Sequence, residues 1–255
     1  KIKLNLIGKI QLKNVQMAIA AAIKSDIDIK KILKVIPKIK SVEGRFEKIG
    51  KIKNQSKVIL DYAHTPDALR TCLLNLKEQF PGQKISLVFG CGGNRDQDKR
   101  AKMGKIGDIL ADKIYLTDDN PRIESPYKIR NDIKKGIKKQ TILEFPNRTR
   151  AITEAINNLN TGEILLVAGK GHETIQEIGV KKIIFSDKKV ILDAIKLKNS
   201  SLSNDLKFNI LKELSEEKKL SSRITLKKAQ INSKEIKKGD IFLQLREKRM
   251  MEINL

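Results

Sequence analysis

From Lys57 onward the chain alternates short runs of Ile, Val and Leu with longer segments of mixed character. The runs are Val58–Leu60, Ile85–Phe89, Lys113–Leu116, Thr141–Phe145, Ile164–Val167 and Ile183–Phe185. They are too short for helices and rich in β-branched residues, which predicts strands buried on both faces. The segments between them, Asp67–Gln79, Lys99–Leu110, Pro126–Lys139, Arg148–Leu159 and Asp187–Leu197, predict helices. Strand and helix in alternation specify an α/β fold with an open, mostly parallel, doubly wound sheet. Ahead of it, Val15, Met17, Ile19, Ala20, Ala22 and Ile23 predict a mostly buried helix over Lys13–Ile23, opened by Asn14. A second helix is expected from Asp28 to Ile36, ended by Pro37, and Glu43-Gly44-Arg45-Phe46-Glu47 reads as a turn leading into an edge strand.

Beyond Leu197 the pattern changes again. Asn199, Ser200, Ser201, Ser203 and Asn204 make Leu197–Asp205 a polar linker, and a helix carrying Glu213, Glu216 and Glu217 is expected after it. Ile231-Asn232-Ser233, Lys238-Gly239-Asp240 and Ile241-Phe242-Leu243 then form a turn and strand too short for a core of their own. The expected layout is the end of one domain over 1–41, a complete α/β domain over 42–197, a linker or helix over 198–220, and the start of a second domain over 221–255. Lys1 stands where an initiating Met would, so further chain is expected upstream.

Composition narrows the function classes. In 255 residues, 40% hydrophobic and 33% charged side chains fit a folded globular protein rather than a disordered one. Every apolar run is interrupted by Lys or Asp before it could span a membrane. Two cysteines, Cys72 and Cys91, exclude a disulfide framework and point to a reducing compartment, the cytoplasm. Lys and Arg exceed Asp and Glu by 53 to 30, a net +23 that would ordinarily favour a nucleic-acid partner. The excess is mostly Lys in scattered pairs, such as Lys30-Lys31 and Lys138-Lys139, alongside abundant Ile and Asn, the residues of A/T-rich codons. With 4% aromatic residues and no Trp there is little to stack on bases. Solvated helix faces therefore explain the charge, and no nucleic-acid partner is expected.

Candidate chemistry collects at predicted strand ends, where ligands bind in such sheets. Four loops stand out: Asp61-Tyr62-Ala63-His64-Thr65-Pro66, Gly90-Cys91-Gly92-Gly93-Asn94-Arg95-Asp96, Thr117-Asp118-Asp119-Asn120-Pro121-Arg122, and Ala168-Gly169-Lys170-Gly171-His172-Glu173. Both histidines of the chain lie in them. Plain structural readings stand beside functional ones. Gly90–Gly93 also fits a tight turn, Asp61 and His64 a helix cap, and Asp119-Asn120-Pro121-Arg122 an Asx turn. Cys91 has no base assigned to it and is not read as a nucleophile. Arg95 and Arg122 are harder to explain structurally, since paired guanidinium groups suit a carboxylate or phosphate ligand. Glu173 with Asp119 would hold an ammonium group, so the loops together describe a pocket for a small zwitterion with an extra carboxylate.

These four loops, with Gly44-Arg45-Phe46-Glu47 ahead of them, resemble the Mur ligases of peptidoglycan synthesis over about Lys1–Leu197, and among them the diaminopimelate-adding branch. The resemblance implies a Rossmann-like C-terminal domain that brings the incoming amino acid, preceded by the end of a central ATPase domain. It implies that Arg95, Asp119, Asn120, Pro121, Arg122, Gly169 and Glu173 hold meso-diaminopimelate, with Arg122 on the distal carboxylate. It places Asn14, Arg45, Asp61 and His64 on the nucleotide side, although Ile10-Gln11 departs from the more usual Phe-Asn. The implied reaction is ATP-dependent amide formation on UDP-N-acetylmuramoyl-L-alanyl-D-glutamate through an acyl phosphate, with Mg²⁺. No Gly-x-x-x-x-Gly-Lys-Ser/Thr loop occurs in these 255 residues, so the segment alone is expected to be inactive, with no catalytic residue or metal site of its own. Ile231–Leu243 is similar to the opening of the next ligase of the series, the D-alanyl-D-alanine-adding one. That implies a fusion of two ligases.

Overall fold

The computed structural model describes residues 4, 6–139, 141–214, 229–230, 241–245 and 251–254. The chain divides into two compact units, 1–196 and 197–255. In the first, β1 (Glu47–Ile49), β2 (Lys57–Asp61), β3 (Ile85–Phe89), β4 (Lys113–Leu116), β5 (Ile142–Glu144) and β6 (Ile164–Ala168) form one sheet. Its order is β1-β2-β6-β3-β4-β5. All neighbours from β2 to β5 run parallel, and β1 joins β2 antiparallel as the expected edge strand. The two apolar runs at the middle of this order, β3 and β6, are buried at every residue, as strands covered on both faces must be.

Alternate residues divide between the faces, because side chains point to opposite sides along a strand. Ile59, Leu87, Phe89 and Leu166 share a core with Leu69 and Leu73 of α3 (Pro66–Gln79), Met103 of α4 (Asp98–Leu110) and Ile133 of α5 (Pro126–Lys134). Helix α6 (Arg148–Asn157) packs on β3, β4 and β6 and buries Ala151, Ile152, Ala155 and Ile156. Each buried Leu or Ile contributes about 1.5–3 kcal/mol, so the sheet centre carries most of the stability. Polar caps fix where helices leave the strand ends. Thr65 accepts from the Ala68 N–H, Ser125 from Lys128 and Asn147 from Arg150, with Pro66 and Pro126 in the first turns.

Strand order sets the site. The chain proceeds β2, β3, β4, β5 and then returns to insert β6 between β2 and β3. The loops after β2, β6, β3 and β4 thereby stand side by side along one rim, although more than a hundred residues separate the β2 loop from the β6 loop beside it. This reversal is where ligands bind in open α/β sheets.

Several elements differ from the sequence expectation. Ile183–Phe185 was expected to join the sheet. Instead β7 (Ile175–Ile178) and β8 (Lys181–Ile184) form a separate antiparallel hairpin around Gly179, since two residues between strands permit only a hairpin. The first helix, α1 (Lys9–Lys24), starts behind Gly8 rather than at Asn14 and buries only Gln11 and Val15. Met17 is 71% exposed: an apolar stripe shows which face would be buried, not that a partner is present. Asp28 caps α2 (Ile29–Val35), and Pro37 sits inside a 3₁₀ turn, Ile36–Lys38, that continues it. Helix α5 stops at Lys134, just ahead of Gly136. Helix α7 (Asp187–Leu214) runs through the Asn- and Ser-rich stretch read as a linker. That stretch contains neither Gly nor Pro, and Ser and Asn cost at most about 0.7 kcal/mol each in a helix. In the second unit, β10 (Ile241–Leu245) pairs parallel with β9 (Ala229–Gln230) and antiparallel with β11 (Met251–Asn254). Glu216, Glu217 and Ile231–Asp240 lie outside the described residues. Among the described residues no helix is long and apolar enough to cross a membrane.

Candidate functional site

A cavity of about 470 Å³ opens along the rim, lined by all four loops, with Tyr62, His64, Arg95, Asp119, Asn120, Arg122, Gly169 and Glu173 among its walls. That size is typical of small-molecule sites. Two glycines allow the loops to close on one another. A side chain at Gly93 would place its Cβ 1.9 Å from the Pro121 carbonyl oxygen, and one at Gly169, where φ is 117°, would lie 2.6 Å from Asp119 Oδ2. The Gly93 N–H donates to the Asn120 carbonyl at 2.9 Å, joining the β3 and β4 loops. Pro121, buried beside it, shapes this junction without lining the cavity.

The acidic wall rests on a buried cation. Lys170 has no solvent exposure, and its Nζ donates to Asn120 Oδ1 at 2.9 Å, Glu173 Oε2 at 2.8 Å and the Ile175 carbonyl at 2.7 Å. Asn120 Nδ2 donates to Glu173 at 3.1 Å, so amide and carboxylate are fixed together. Burial pushes the Glu173 carboxyl up, but donation from Lys170, Asn120 and Tyr62 outweighs it and holds the group below its ordinary range. Burial raises Asp119, against opposition from Arg148 and Lys170. Behind Asp119, Arg148 is fully buried and paired with Asp187 through Nε at 2.8 Å and Nη2 at 2.7 Å. Its Nη1 has no hydrogen-bond partner and lies 3.9 Å from Asp119 Oδ2.

Arg95 is exposed on the cavity wall. Arg122 faces it from the β4 loop, with Nη1 donating to the Gly93 carbonyl at 2.9 Å and Nε 2.8 Å from Glu177 Oε2. The structure therefore brings together six of the seven residues expected to hold the amino acid, with Pro121 just behind them.

The residues expected on the nucleotide side are more dispersed. His64 lines the cavity, its Nδ1 2.9 Å from the Tyr62 carbonyl oxygen. Arg45 stacks its guanidinium over the Tyr62 ring at 4.5 Å. Asp61 spends both oxygens on backbone, accepting from the Phe46 and Ala63 N–H groups at 2.7 Å each. It is not hydrogen-bonded to His64, and Thr65 is the cap of α3. Asn14 sits away from the cavity wall and reaches Gln11 Oε1 at 3.5 Å; Gln11 in turn donates to the Arg45 carbonyl at 2.9 Å. The departure at Gln11 is thus where α1 meets the loop carrying Arg45. Cys91 is buried, its thiol pushed up to about 12 chiefly by burial, in keeping with a structural role.

Sequence reasoning missed Lys170, Arg148 with Asp187, and Glu177. A Lys between two glycines gives no sign of burial, and Asp187 was readable only as a helix start. Glu177 had a signal only in retrospect, as an acid in a strand following the Gly-Lys-Gly loop.

Comparison with known proteins gives the same picture. The model of the Mur ligase glutamate ligase domain matches residues 44–171, which include all four rim loops except His172 and Glu173. UDP-N-acetylmuramoyl-L-alanyl-D-glutamate–2,6-diaminopimelate ligase of Rickettsia bellii is 45% identical over 186 residues, 72% of this chain and 38% of that protein. A solved structure of a ligase with the same name has a TM-score of 0.62 and 35% identity, covering 77% of this chain and 40% of its own. The MurF ligase of Thermotoga maritima in complex with ADP shares the fold at a TM-score of 0.52 and 18% identity, over 79% of this chain and 41% of its own. The chain spans about two fifths of the length of the curated relatives it matches. With the matched domain coinciding with the sheet and rim that build the cavity, the chain belongs to the Mur ligase family.

Proposed function

We propose that residues 42–197 are the amino-acid-recognition domain of a ligase that adds meso-diaminopimelate to UDP-N-acetylmuramoyl-L-alanyl-D-glutamate. Residues 1–41 then end a central ATPase domain, and 221–255 open a second ligase. The observation that carries this reading is the cavity wall itself, where the cations Arg95 and Arg122 stand with the acceptors Asp119, Asn120 and Glu173. A small amino acid with a second carboxylate complements both. Arg122 takes the distal carboxylate, Arg95 the other carboxylate, and Glu173 with Asn120 an ammonium group. Fixing the substrate so that its remaining amine meets an acyl phosphate of the D-glutamate side chain is a positioning effect, and no group of the cavity has to change covalently.

ATP, as phosphoryl donor, is supported by the resemblance and by the ADP bound to the Thermotoga maritima ligase of the same fold. The resemblance assigns Asn14, Arg45, Asp61 and His64 to the nucleotide side. Among the described residues no group of three His, Cys, Asp or Glu side chains fits a metal ion. By the resemblance, Mg²⁺ belongs mainly to the central ATPase domain, of which this chain would carry only the end.

The test is Arg122→Ala in the full-length ligase, with meso-diaminopimelate and L-lysine as competing substrates. Losing a charged partner for the distal carboxylate should lower kcat/KM for diaminopimelate by about 100-fold and erase its advantage over lysine. An intact preference for diaminopimelate would overturn the reading.

A further inference from the structure

Arg122 has a φ of 53°, in the left-handed region that L side chains rarely adopt. The β7–β8 hairpin holds it there. The Arg122 N–H donates to the Glu177 carbonyl at 3.1 Å, and the Gly179 N–H donates to the Arg122 carbonyl at 2.7 Å. These bonds make a bridge between the β4 loop and β7. The side chain is gripped from the same strand, through the ion pair of Nε with Glu177 at 2.8 Å.

Arg122 also stands on the wall between two cavities. Besides the 470 Å³ site it lines a neighbouring space of about 280 Å³, together with Asn120, Glu173, Ile175, Glu177 and Lys182. Nε faces Glu177, which lines only the second cavity. Nη1 lies against Gly92 and Gly93, with Gly92 lining only the first. A guanidinium carries five N–H donors. With Nε in the ion pair with Glu177 and Nη1 donating to the Gly93 carbonyl, Nη2 is the part of the fork left to a ligand. Glu177 on the side of the second cavity and the Gly93 carbonyl on the side of the first hold the guanidinium across this wall.

We propose that Glu177 is a positioning residue that sets amino-acid specificity: it holds the Arg122 guanidinium so that its free N–H groups meet the distal carboxylate of the incoming amino acid. The β7–β8 hairpin, and not the Asp-Asn-Pro-Arg loop alone, then determines the preference for a dicarboxylic substrate. This inference rests on the diaminopimelate reading.

The experiment measures kcat and KM in the full-length ligase for meso-diaminopimelate and for L-lysine, which lacks the distal carboxylate. The variants are Glu177→Ala, Glu177→Gln, Arg122→Ala and the double variant Arg122→Ala/Glu177→Ala. Glu177→Ala should raise KM for diaminopimelate about tenfold with kcat within about twofold, and leave lysine kinetics unchanged, as expected when an interaction with the bound substrate is weakened. Glu177→Gln, nearly isosteric, keeps an acceptor without the charge and should give an intermediate KM; it also serves if the Ala variant does not fold. Glu177→Ala should add nothing in the Arg122→Ala background, because the two residues act through one contact. A KM unchanged in both Glu177 variants while Arg122→Ala destroys selectivity would overturn this inference alone. So would equal losses toward both substrates, or additive effects in the double variant. If Arg122→Ala keeps its preference for diaminopimelate, the functional reading itself fails first.

Discussion

Arg100 and Arg122 reach the same glycine loop, one at the Gly92 carbonyl and the other at that of Gly93, and do different work. Arg100, in α4, is fully buried; its Nη1 and Nη2 each meet an oxygen of Glu124 at 2.7 Å, Nη1 also reaches Asp132 at 3.1 Å, and Nη2 lies 3.4 Å from the Gly92 carbonyl. Its fork is closed by protein carboxylates. Arg122 is half-buried, with one ion pair and one carbonyl contact, and part of its fork faces a cavity. Arg130, paired with Asp118 and Glu144, and Arg148, paired with Asp187, belong with Arg100. What separates scaffold from binding arginines here is where the leftover N–H groups lie: the unpartnered Arg100 Nε and Arg148 Nη1 are enclosed by protein, whereas the fork of Arg122 borders a cavity.

The strongest test of that division is at Arg148, the closed arginine nearest the cavity. Asp187→Ala would leave a fully buried guanidinium without its carboxylate, which should cost about 3–5 kcal/mol and lower Tm by roughly 10 °C in a protein of this size. Thermal unfolding followed by circular dichroism checks it. Unchanged stability combined with lost ligation would move Arg148 into the binding class and break the comparison.

A smaller effect is expected at Glu124, which the Arg100 fork holds at about 2. A carboxylate depressed below its ordinary 4.5 contributes stability that is full above that pH and lost as pH falls toward the folded value. Glu124→Gln should therefore destabilise the protein by about 2 kcal/mol at neutral pH and flatten the acid side of its stability profile, as read from denaturant melts. An acid limb identical to that of the wild type would show that Arg100 is not closed by Glu124.

The fold was legible where burial is continuous and local. Ile85–Phe89 and Ile164–Val167 read as strands because every residue but Ser86 is apolar. The site's location was legible for a related reason: polar loops, two of them rich in glycine, followed four of the runs. Its wiring was not. Lys170 looks like a surface lysine until Asn120 and Glu173 fold around it, and Glu177 meets Arg122 only because the hairpin doubles back over the β4 loop. The helix α1 was misjudged in the opposite sense, since Met17 and Ile23 have the spacing of a buried face but little within this unit to cover them. Periodicity reports what a residue can satisfy locally, whereas the number of unsatisfied donors on an arginine depends on chain brought in from elsewhere.

The smallest effect sharpens the comparison at the loop the two arginines share. Cys91 precedes Gly92, lies on the cavity wall and is the feature there that most invites a chemical role. Its thiol is buried, 3.7 Å from the Met103 sulfur, and pushed up to about 12, so it stays protonated at neutral pH. A protonated, enclosed thiol is a poor nucleophile and a small apolar filler. Cys91→Ala should cost no more than about 1 kcal/mol of stability, and kcat/KM should stay within about twofold of the wild type. Iodoacetamide at neutral pH should leave Cys91 unmodified in the folded protein, by mass spectrometry. Rapid alkylation with loss of ligation would mean that the loop contributes a reactive side chain as well as the backbone against which Arg100 closes and Arg122 stays open.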